Sequence, residues 1–242
     1  GFVPAAELPN ELNPPSGFVA SANDALNLDG ARVHPVNLPL APYRAERIRE
    51  LLESRDDWTL EDFQRMQLDL ESVQARRFMD VLRPLLPESE AGEVLRAWNC
   101  RYDPDSRGAP LFERCLRALL QDVFGSVCGE EVMRFLAEET PILTNFFYNF
   151  DRVLLAEESV WFGPEGRDAR FRRILRAALE PAATSAPQQQ EIVMKHVLLG
   201  DRLPTWLGFN HGPVPLPGSR ATLRQGEIFR TGGREQSFAP SY

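Results

Sequence analysis

Apolar residues recur every three or four positions through the middle of the chain, which is the spacing of one face of an α-helix. Between Arg44 and Ser54 this stripe consists of Ile48, Leu51 and Leu52. The same spacing predicts further helices over residues 89–98, 109–124, 129–137, 141–155 and 167–180. The middle of the chain is therefore expected to be helical.

A capping-box sequence opens the longest apolar pattern. Thr59 stands three residues before Asp62, so each side chain can accept a hydrogen bond from the other residue's backbone N–H. Apolar residues then continue at helical spacing until Pro84 and Pro87, and we predict one helix through the segment. Its apolar positions are Phe63, Met66, Leu70, Val73, Phe78, Val81 and Leu82.

Proline and polar residues mark the boundaries of later elements. Pro110 is placed for the first turn of a helix, where its missing N–H costs nothing. The polar run 181–190 is expected to be a loop or exposed linker. A short helix is predicted near 188–199, before the Gly- and Pro-rich stretch from Gly200 to Gly218.

The two ends of the chain have a different pattern from the middle. Residues 1–43 are rich in Pro, Asn and Gly with short apolar stretches, which favours strand and ordered loop. Strand-like pieces recur at 227–230 and 236–238. We therefore expect an α+β fold, predominantly helical, in which 1–43 belongs to a sheet, 44–199 is a helical insert and 200–242 returns to that sheet. Because both ends look cut, one incomplete domain of a larger, processed protein is expected.

Composition excludes some classes of function. The chain has 242 residues, 43% hydrophobic and 26% charged, which is ordinary for a soluble globular protein. Its formal net charge of −8 disfavours binding to nucleic acid. The Arg-rich stretch Arg167–Arg176 alternates with apolar residues and is interpreted as the solvated face of an amphipathic helix. No apolar run is long enough to cross a membrane.

Generic catalytic and metal-binding motifs do not occur in the chain. There is no GxSxG, HExxH, P-loop or GxGxxG pattern. Cys100, Cys115 and Cys128 form no CxxC pair, so zinc is not indicated. Asp103 and Asp105 supply fewer oxygens than the roughly six to eight that Ca²⁺ takes, and a turn is the preferred interpretation. Motif chemistry alone predicts only a soluble, mostly helical protein.

The opening segment resembles a signature of the penicillin acylase family. Residues 13–18 (NPPSGF) match closely, and Asn23 falls on the first Asn of the pair that follows in the family, whereas Asp24 replaces the second. Later motifs of the family recur in the same order. These are Ala41–Ile48, Leu60–Asp69, Trp98–Asn99, Ala109–Glu113, Asn210–Gly218 and Ser237–Tyr242.

The resemblance implies a function and a wider structure. Members of the family fold as an N-terminal-nucleophile αββα sandwich and hydrolyse an acyl amide of a small molecule, such as a β-lactam side chain or an N-acyl homoserine lactone. Their nucleophile is the Ser that begins the mature β subunit, with its own α-amine as base. That Ser would lie outside this chain. The implied partners are the amide substrate and the rest of the same polypeptide, in the periplasm or outside the cell, without nucleic acid or membrane.

Two site residues are carried over from the family by position. Asn23 aligns with the Asn of the oxyanion hole, whose loss typically costs about 3 kcal/mol of transition-state stabilisation. Arg44 aligns with the Arg that orients this Asn. From the residues alone, an Asx turn is the preferred interpretation for Asn23 and a surface helix position for Arg44.

The chain also departs from the family pattern. The "DYP" that usually follows the Asn pair is replaced around Val33–Pro35, and the carboxylate often used for a structural calcium has no convincing counterpart. No metal ligand or cofactor is therefore assigned. The alternative to an acylase is a non-catalytic scaffold or binding module derived from the family.

Overall fold

The computed structural model describes residues 2–8, 10–24, 40–138, 146–180, 191–194, 196, 199, 202–215 and 217–225. Within these residues the chain is mostly helical, with eight α-helices and one two-stranded antiparallel sheet. The helices are α1 (Tyr43–Glu53), α2 (Leu60–Met66), α3 (Val73–Leu82), α4 (Glu90–Arg96), α5 (Gly108–Cys128), α6 (Glu130–Glu138), α7 (Phe147–Leu155) and α8 (Gly166–Ala178). The strands are β1 (Glu191–Met194) and β2 (His211–Pro215).

Helix α5 is the centre of the main hydrophobic core. It packs against α4, α6 and α8. Its fully buried positions follow the helical spacing that the sequence shows, and they are Phe112, Cys115, Leu116, Leu119 and Val123. None of the helices among the described residues is long and apolar enough to cross a membrane.

A second, smaller cluster lies where α1, α3 and α7 meet the segment 217–225. Tyr43, Val73, Phe147 and Ala221 are buried together there. Each comes from a different part of the chain, so the cluster fixes the first turn of α1 relative to the helical body. This turn carries Arg44.

Most predicted helices are confirmed to within a few residues, but the long helix after Thr59 is wrong. The capping box is present, with Thr59 and Asp62 exchanging hydrogen bonds at the start of α2. The helix ends at Met66 because the following backbone bonds to a distant segment. Ser72 N donates to Cys100 O at 3.0 Å and Tyr102 N donates to Leu70 O at 2.9 Å.

The helix predicted near 188–199 is also wrong. Residues 191–194 form β1, which pairs with β2 in the register Glu191 to Pro215 and Ile192 to Val214. Ile and Val are β-branched and suit a strand, and the partner strand supplies hydrogen bonds that local sequence does not reveal.

The strand expected in residues 1–43 is not found in the described part of that segment, whereas the 200–242 segment contains β2. Residues 2–8 and 10–24 contain a 3₁₀ turn at Ala5–Glu7 and irregular chain, with no strand in those ranges. A strand needs a neighbour to pair its backbone groups, and none of the described residues pairs with this segment in a ladder. The pieces at 227–230 and 236–238 lie outside the described residues.

Candidate functional site

The structure brings Asn23 and Arg44 into direct contact. Arg44 Nη2 donates a hydrogen bond of 2.8 Å to Asn23 Oδ1 and one of 2.9 Å to Ala22 O. A guanidinium has donors and no acceptor, so the amide must present its oxygen to Arg44 and its nitrogen away from it. The contact therefore determines the orientation of the Asn23 amide.

The Asn23 side chain is exposed and its backbone is in the left-handed region. Its φ is 64°, which Asn adopts more readily than most residues. The backbone carbonyl accepts a hydrogen bond of 2.8 Å from Leu40 N. None of the described residues accepts a hydrogen bond from Asn23 Nδ2, so the amide can donate to a ligand.

Asp24 fixes the same loop from its other side. Its carboxylate is buried, with Oδ1 accepting from Ala22 N and Oδ2 accepting from Arg49 Nη2, each at 3.0 Å. The sequence marked Asp24 only as a replacement for the second Asn of the family pair. Its pairing with Arg49 could not be predicted because it depends on how the loop lies against α1.

The residue before Arg44 points into the protein. Tyr43 is fully buried, and its hydroxyl donates to Asp151 Oδ2 at 3.0 Å. Gln74 Nε2 donates to the same oxygen at 2.7 Å. The Tyr43 ring also packs against Phe147 and Tyr148, with ring centroids 6.2 and 5.5 Å apart. Sequence reasoning missed this group because its members are far apart along the chain.

Two buried carboxyl groups lie in this region. Burial raises the pKa of Asp151 to about 6, against the opposing effects of the Arg220 charge and of hydrogen bonds from Gln74 and Tyr43. Burial likewise raises the pKa of Glu113, which accepts a hydrogen bond of 2.6 Å from the Tyr102 hydroxyl. The carboxyl groups of Asp151 and Glu113 both interact with the guanidinium of Arg220, so the ionisation of one affects the ionisation of the other.

A small cavity of about 80 Å³ opens beside Tyr43 and Arg44, the first two residues of α1. Its lining combines two guanidinium groups with aromatic and small apolar side chains. The lining residues are Leu40, Ala41, Tyr43, Arg44, Phe147, Arg220, Ala221 and Gln225. The Arg44 side chain therefore lies between the cavity and Asn23.

The acidic residues and cysteines that could have bound a metal lie in turns or in the packed interior, or stand singly at the surface. Within the described ranges, no three His, Cys, Asp or Glu side chains are grouped so that they could hold a metal ion. Asp103 begins a turn in which its carbonyl accepts from Ser106 N at 3.0 Å. Cys100 and Cys115 are buried free thiols, and Cys128 is exposed.

The Arg-rich face of α8 is solvated at three of its arginines but not at Arg167 and Arg170; the Arg167 side chain is 16% exposed and donates to Ala156 O at 3.1 Å. Arg172, Arg173 and Arg176 are exposed, as the amphipathic pattern predicts. Arg170 is buried and donates to Asp122 Oδ1, Asp122 O and Ser126 Oγ at 2.7 to 2.8 Å. The face therefore includes a buried arginine that joins α8 to α5.

The comparison with known families decides what this chain is. The model of the penicillin amidase family matches residues 1–242. The chain belongs to the penicillin amidase family. The resemblance that its motifs indicated is therefore confirmed.

The chain spans only a small part of the length of a curated relative that it resembles. Penicillin acylase 2 proenzyme of Pseudomonas sp. (strain SE83) is 31% identical over 127 residues. The alignment covers 49% of this chain and 16% of that relative. The relative's name describes a precursor, which agrees with a family whose polypeptide is processed into subunits.

Proposed function

We propose that this chain is part of an acylase that hydrolyses the acyl amide of a small molecule, with Asn23 as a donor of the oxyanion hole and Arg44 as the residue that orients it. The observation that carries the proposal is the hydrogen bond of 2.8 Å from Arg44 Nη2 to Asn23 Oδ1. Membership of the penicillin amidase family supports the type of reaction.

The proposed chemistry divides the reaction between this chain and the rest of the protein. A serine at the start of the mature β subunit attacks the amide carbonyl, and its own α-amine takes the hydroxyl proton. Negative charge then develops on the carbonyl oxygen. Asn23 Nδ2 donates to that oxygen, and because an amide does not titrate, the donor is present at every working pH.

Arg44 contributes to this step in two ways. Its guanidinium fixes which end of the Asn23 amide faces the substrate. It also withdraws electron density from Oδ1, which strengthens the N–H groups of the same amide as donors. Asx-turn geometry alone would leave the amide free to turn, so the contact with Arg44 favours a functional role over a purely local one.

The proposed substrate, fold and processing are those that the penicillin amidase family implies. The substrate is an acyl amide such as a β-lactam side chain or an N-acyl homoserine lactone, and the acyl pocket is formed largely outside this chain. Residues 1–43 and 200–242 belong to the sheet of an αββα sandwich, and 44–199 is inserted between them. The processed α and β subunits form one exported enzyme in the periplasm or outside the cell.

Replacement of Asn23 in the full-length protein tests the proposal. Asn23→Ala should lower kcat by about 10² to 10³, because one oxyanion donor is lost, while mass spectrometry shows unchanged processing. The probes are benzylpenicillin, N-decanoyl homoserine lactone and phenylacetyl-4-nitroanilide. Asn10→Ala is the matched control, since Asn10 lies in the same exposed segment and bonds only to Leu8 O among the described residues.

Two results would overturn the proposal. Wild-type turnover in Asn23→Ala would remove the oxyanion role. Absence of turnover on every probe, together with absence of a processed N-terminal Ser, Thr or Cys in the full-length protein, would favour the scaffold or binding module instead.

A further inference from the structure

Three helices meet at one carboxylate oxygen beside the candidate site. Asp151 Oδ2 on α7 accepts from the Tyr43 hydroxyl on α1 and from Gln74 Nε2 on α3. These side chains are all at most 1% exposed. A buried oxygen with two donors is a specific three-way contact, and loss of either donor or acceptor leaves a buried polar group without its partner.

This contact lies next to the residue that orients Asn23. Tyr43 and Arg44 are consecutive in the first turn of α1, where side chains of neighbouring residues diverge by about 100°. Tyr43 therefore points into the protein towards Asp151, while Arg44 points towards the loop 22–24. Any rotation of the first turn that moves one side chain also moves the other.

The first turn of α1 is held by apolar packing but has no side-chain cap. Its N-cap is Pro42, which makes no side-chain capping hydrogen bond, whereas α2, α3 and α4 each begin with a capping Thr or Ser. An uncapped helix end frays more easily. The buried hydroxyl of Tyr43 provides a directional contact at the position where a cap would otherwise act.

We propose that Asp151 is a positioning residue of the acylase site: by accepting the hydrogen bond of the Tyr43 hydroxyl it fixes the first turn of α1, and with it the Arg44 guanidinium that orients Asn23. This inference rests on the proposed function. Asp151 touches neither substrate nor Asn23 and acts only through Tyr43 and Arg44.

The surroundings of Asp151 define which variants are informative. Arg220, Glu113 and the Tyr43 hydroxyl are the charged and titratable groups that interact with it, and Gln74 is its neutral donor. Asp151 Oδ1 receives no hydrogen bond from the described residues, so an asparagine amide can take the carboxylate's place with its oxygen towards the two donors. Asp151→Asn therefore keeps the acceptor and removes the charge.

The kinetic test uses the full-length protein and phenylacetyl-4-nitroanilide. Tyr43→Phe keeps the ring and removes the hydroxyl, and we expect kcat to fall about 10-fold with KM unchanged. Asp151→Ala should lower kcat at least as much, and Asp151→Asn should restore most of that loss. Tyr148→Phe is the matched control, since it removes a neighbouring hydroxyl that makes no hydrogen bond to the described residues and should leave kcat unchanged.

A double-mutant cycle separates positioning from general loosening of the fold. If Tyr43 acts through Arg44, Tyr43→Phe causes no further fall in kcat once Arg44→Ala is present. An equal fall in both backgrounds would mean that Tyr43 acts independently of Arg44 and would overturn the inference. If Tyr43→Phe is not processed, Asp151→Ala takes its place in the cycle: it should cause no further fall in kcat once Arg44→Ala is present, and an equal fall in both backgrounds would overturn the inference.

The cycle also distinguishes failure of this inference from failure of the proposed function. If Asn23→Ala and Arg44→Ala leave kcat unchanged, the proposed function fails. If both lower kcat and Tyr43→Phe does not, only the positioning role fails.

Crystal structures test the role of Asp151 without any measurement of turnover. Tyr43→Phe should break the contact between Arg44 Nη2 and Asn23 Oδ1 or split it between two conformations. Retention of the wild-type contact would reject the role of Asp151.

Discussion

Asp24 Oδ2 accepts a hydrogen bond of 3.0 Å from Arg49 Nη2, so the loop that carries Asn23 is joined to the second turn of α1 as well as to the first. Asp24 is buried, whereas the Arg49 side chain is 42% exposed. The amide proposed to bind the oxyanion is thus flanked by two contacts with one helix. We expect both contacts to help keep the loop in a single conformation.

Replacement of Asp24 tests the second of these contacts. Asp24→Ala removes the acceptor for both Ala22 N and Arg49, and kcat of the full-length protein should fall by about 10-fold because the loop loses its orientation. Asp24→Asn keeps an acceptor for Ala22 N and should be less impaired. Asp57→Ala, at an exposed ion pair with Arg55, is the control. Unchanged kcat in Asp24→Ala would mean that Arg44 alone holds the loop.

The buried carboxyl of Asp151 should make stability depend on pH. Its pKa is raised from 3.8 to about 6 in the folded protein, so between these values the folded state binds a proton that the unfolded state has released. Stability is therefore lost as pH rises through this interval, by an amount on the order of 3 kcal/mol. Asp151→Asn cannot ionise and should lack this loss.

Urea unfolding of wild type and Asp151→Asn at pH 4, 5, 6 and 7 measures this difference. The variant should gain stability relative to wild type as pH rises. Comparing the two proteins cancels the contributions of carboxyl groups that do not interact with Asp151. Parallel stability curves would show that Asp151 is ionised at the same pH in the folded and unfolded states.

Two glycines of α5 should respond oppositely to replacement by alanine. A Cβ at Gly108 would lie 2.2 Å from Trp98 Cγ, so Gly108→Ala must displace a buried indole and should cost about 1–3 kcal/mol. A Cβ at Gly125 would have Met133 Cγ at 3.8 Å, an ordinary contact. Gly125→Ala should therefore be neutral or stabilise by up to about 1 kcal/mol, through helix propensity. Thermal unfolding of both variants checks the contrast.

Arg170 and Arg173 both bond to Asp122, but only one should matter for stability. Arg170 is 7% exposed and also donates to Trp161 O, so Arg170→Ala leaves several partly buried acceptors without this donor and should cost about 2 kcal/mol. The Arg173 side chain is 54% exposed, and its loss should cost less than about 1 kcal/mol. Equal unfolding free energies for the two variants would contradict this assignment.

Local sequence predicted the features that depend on near neighbours. The helical spacing of apolar residues located most helices, because the side chains of one face must meet the core wherever the helix lies. The pair Thr59 and Asp62 predicted a capping box because all of its atoms lie within one turn. The signature around Asn23 indicated the family and named Arg44 as its companion. The contact between these two residues is consistent with that assignment, and their catalytic roles stay a proposal.

Only the tertiary structure decided the features that depend on distant residues. The apolar spacing after Thr59 continues past Met66 to Leu70, yet helix α2 ends at Met66. It ends because the backbone that follows bonds to residues 100–102. Residues 191–194 became a strand because β2 pairs with them. Tyr43 meets Asp151 across 108 positions of sequence. Periodicity records which side of an element is buried, whereas hydrogen bonds between distant segments form only once the chain has folded and therefore leave no repeating pattern in the sequence.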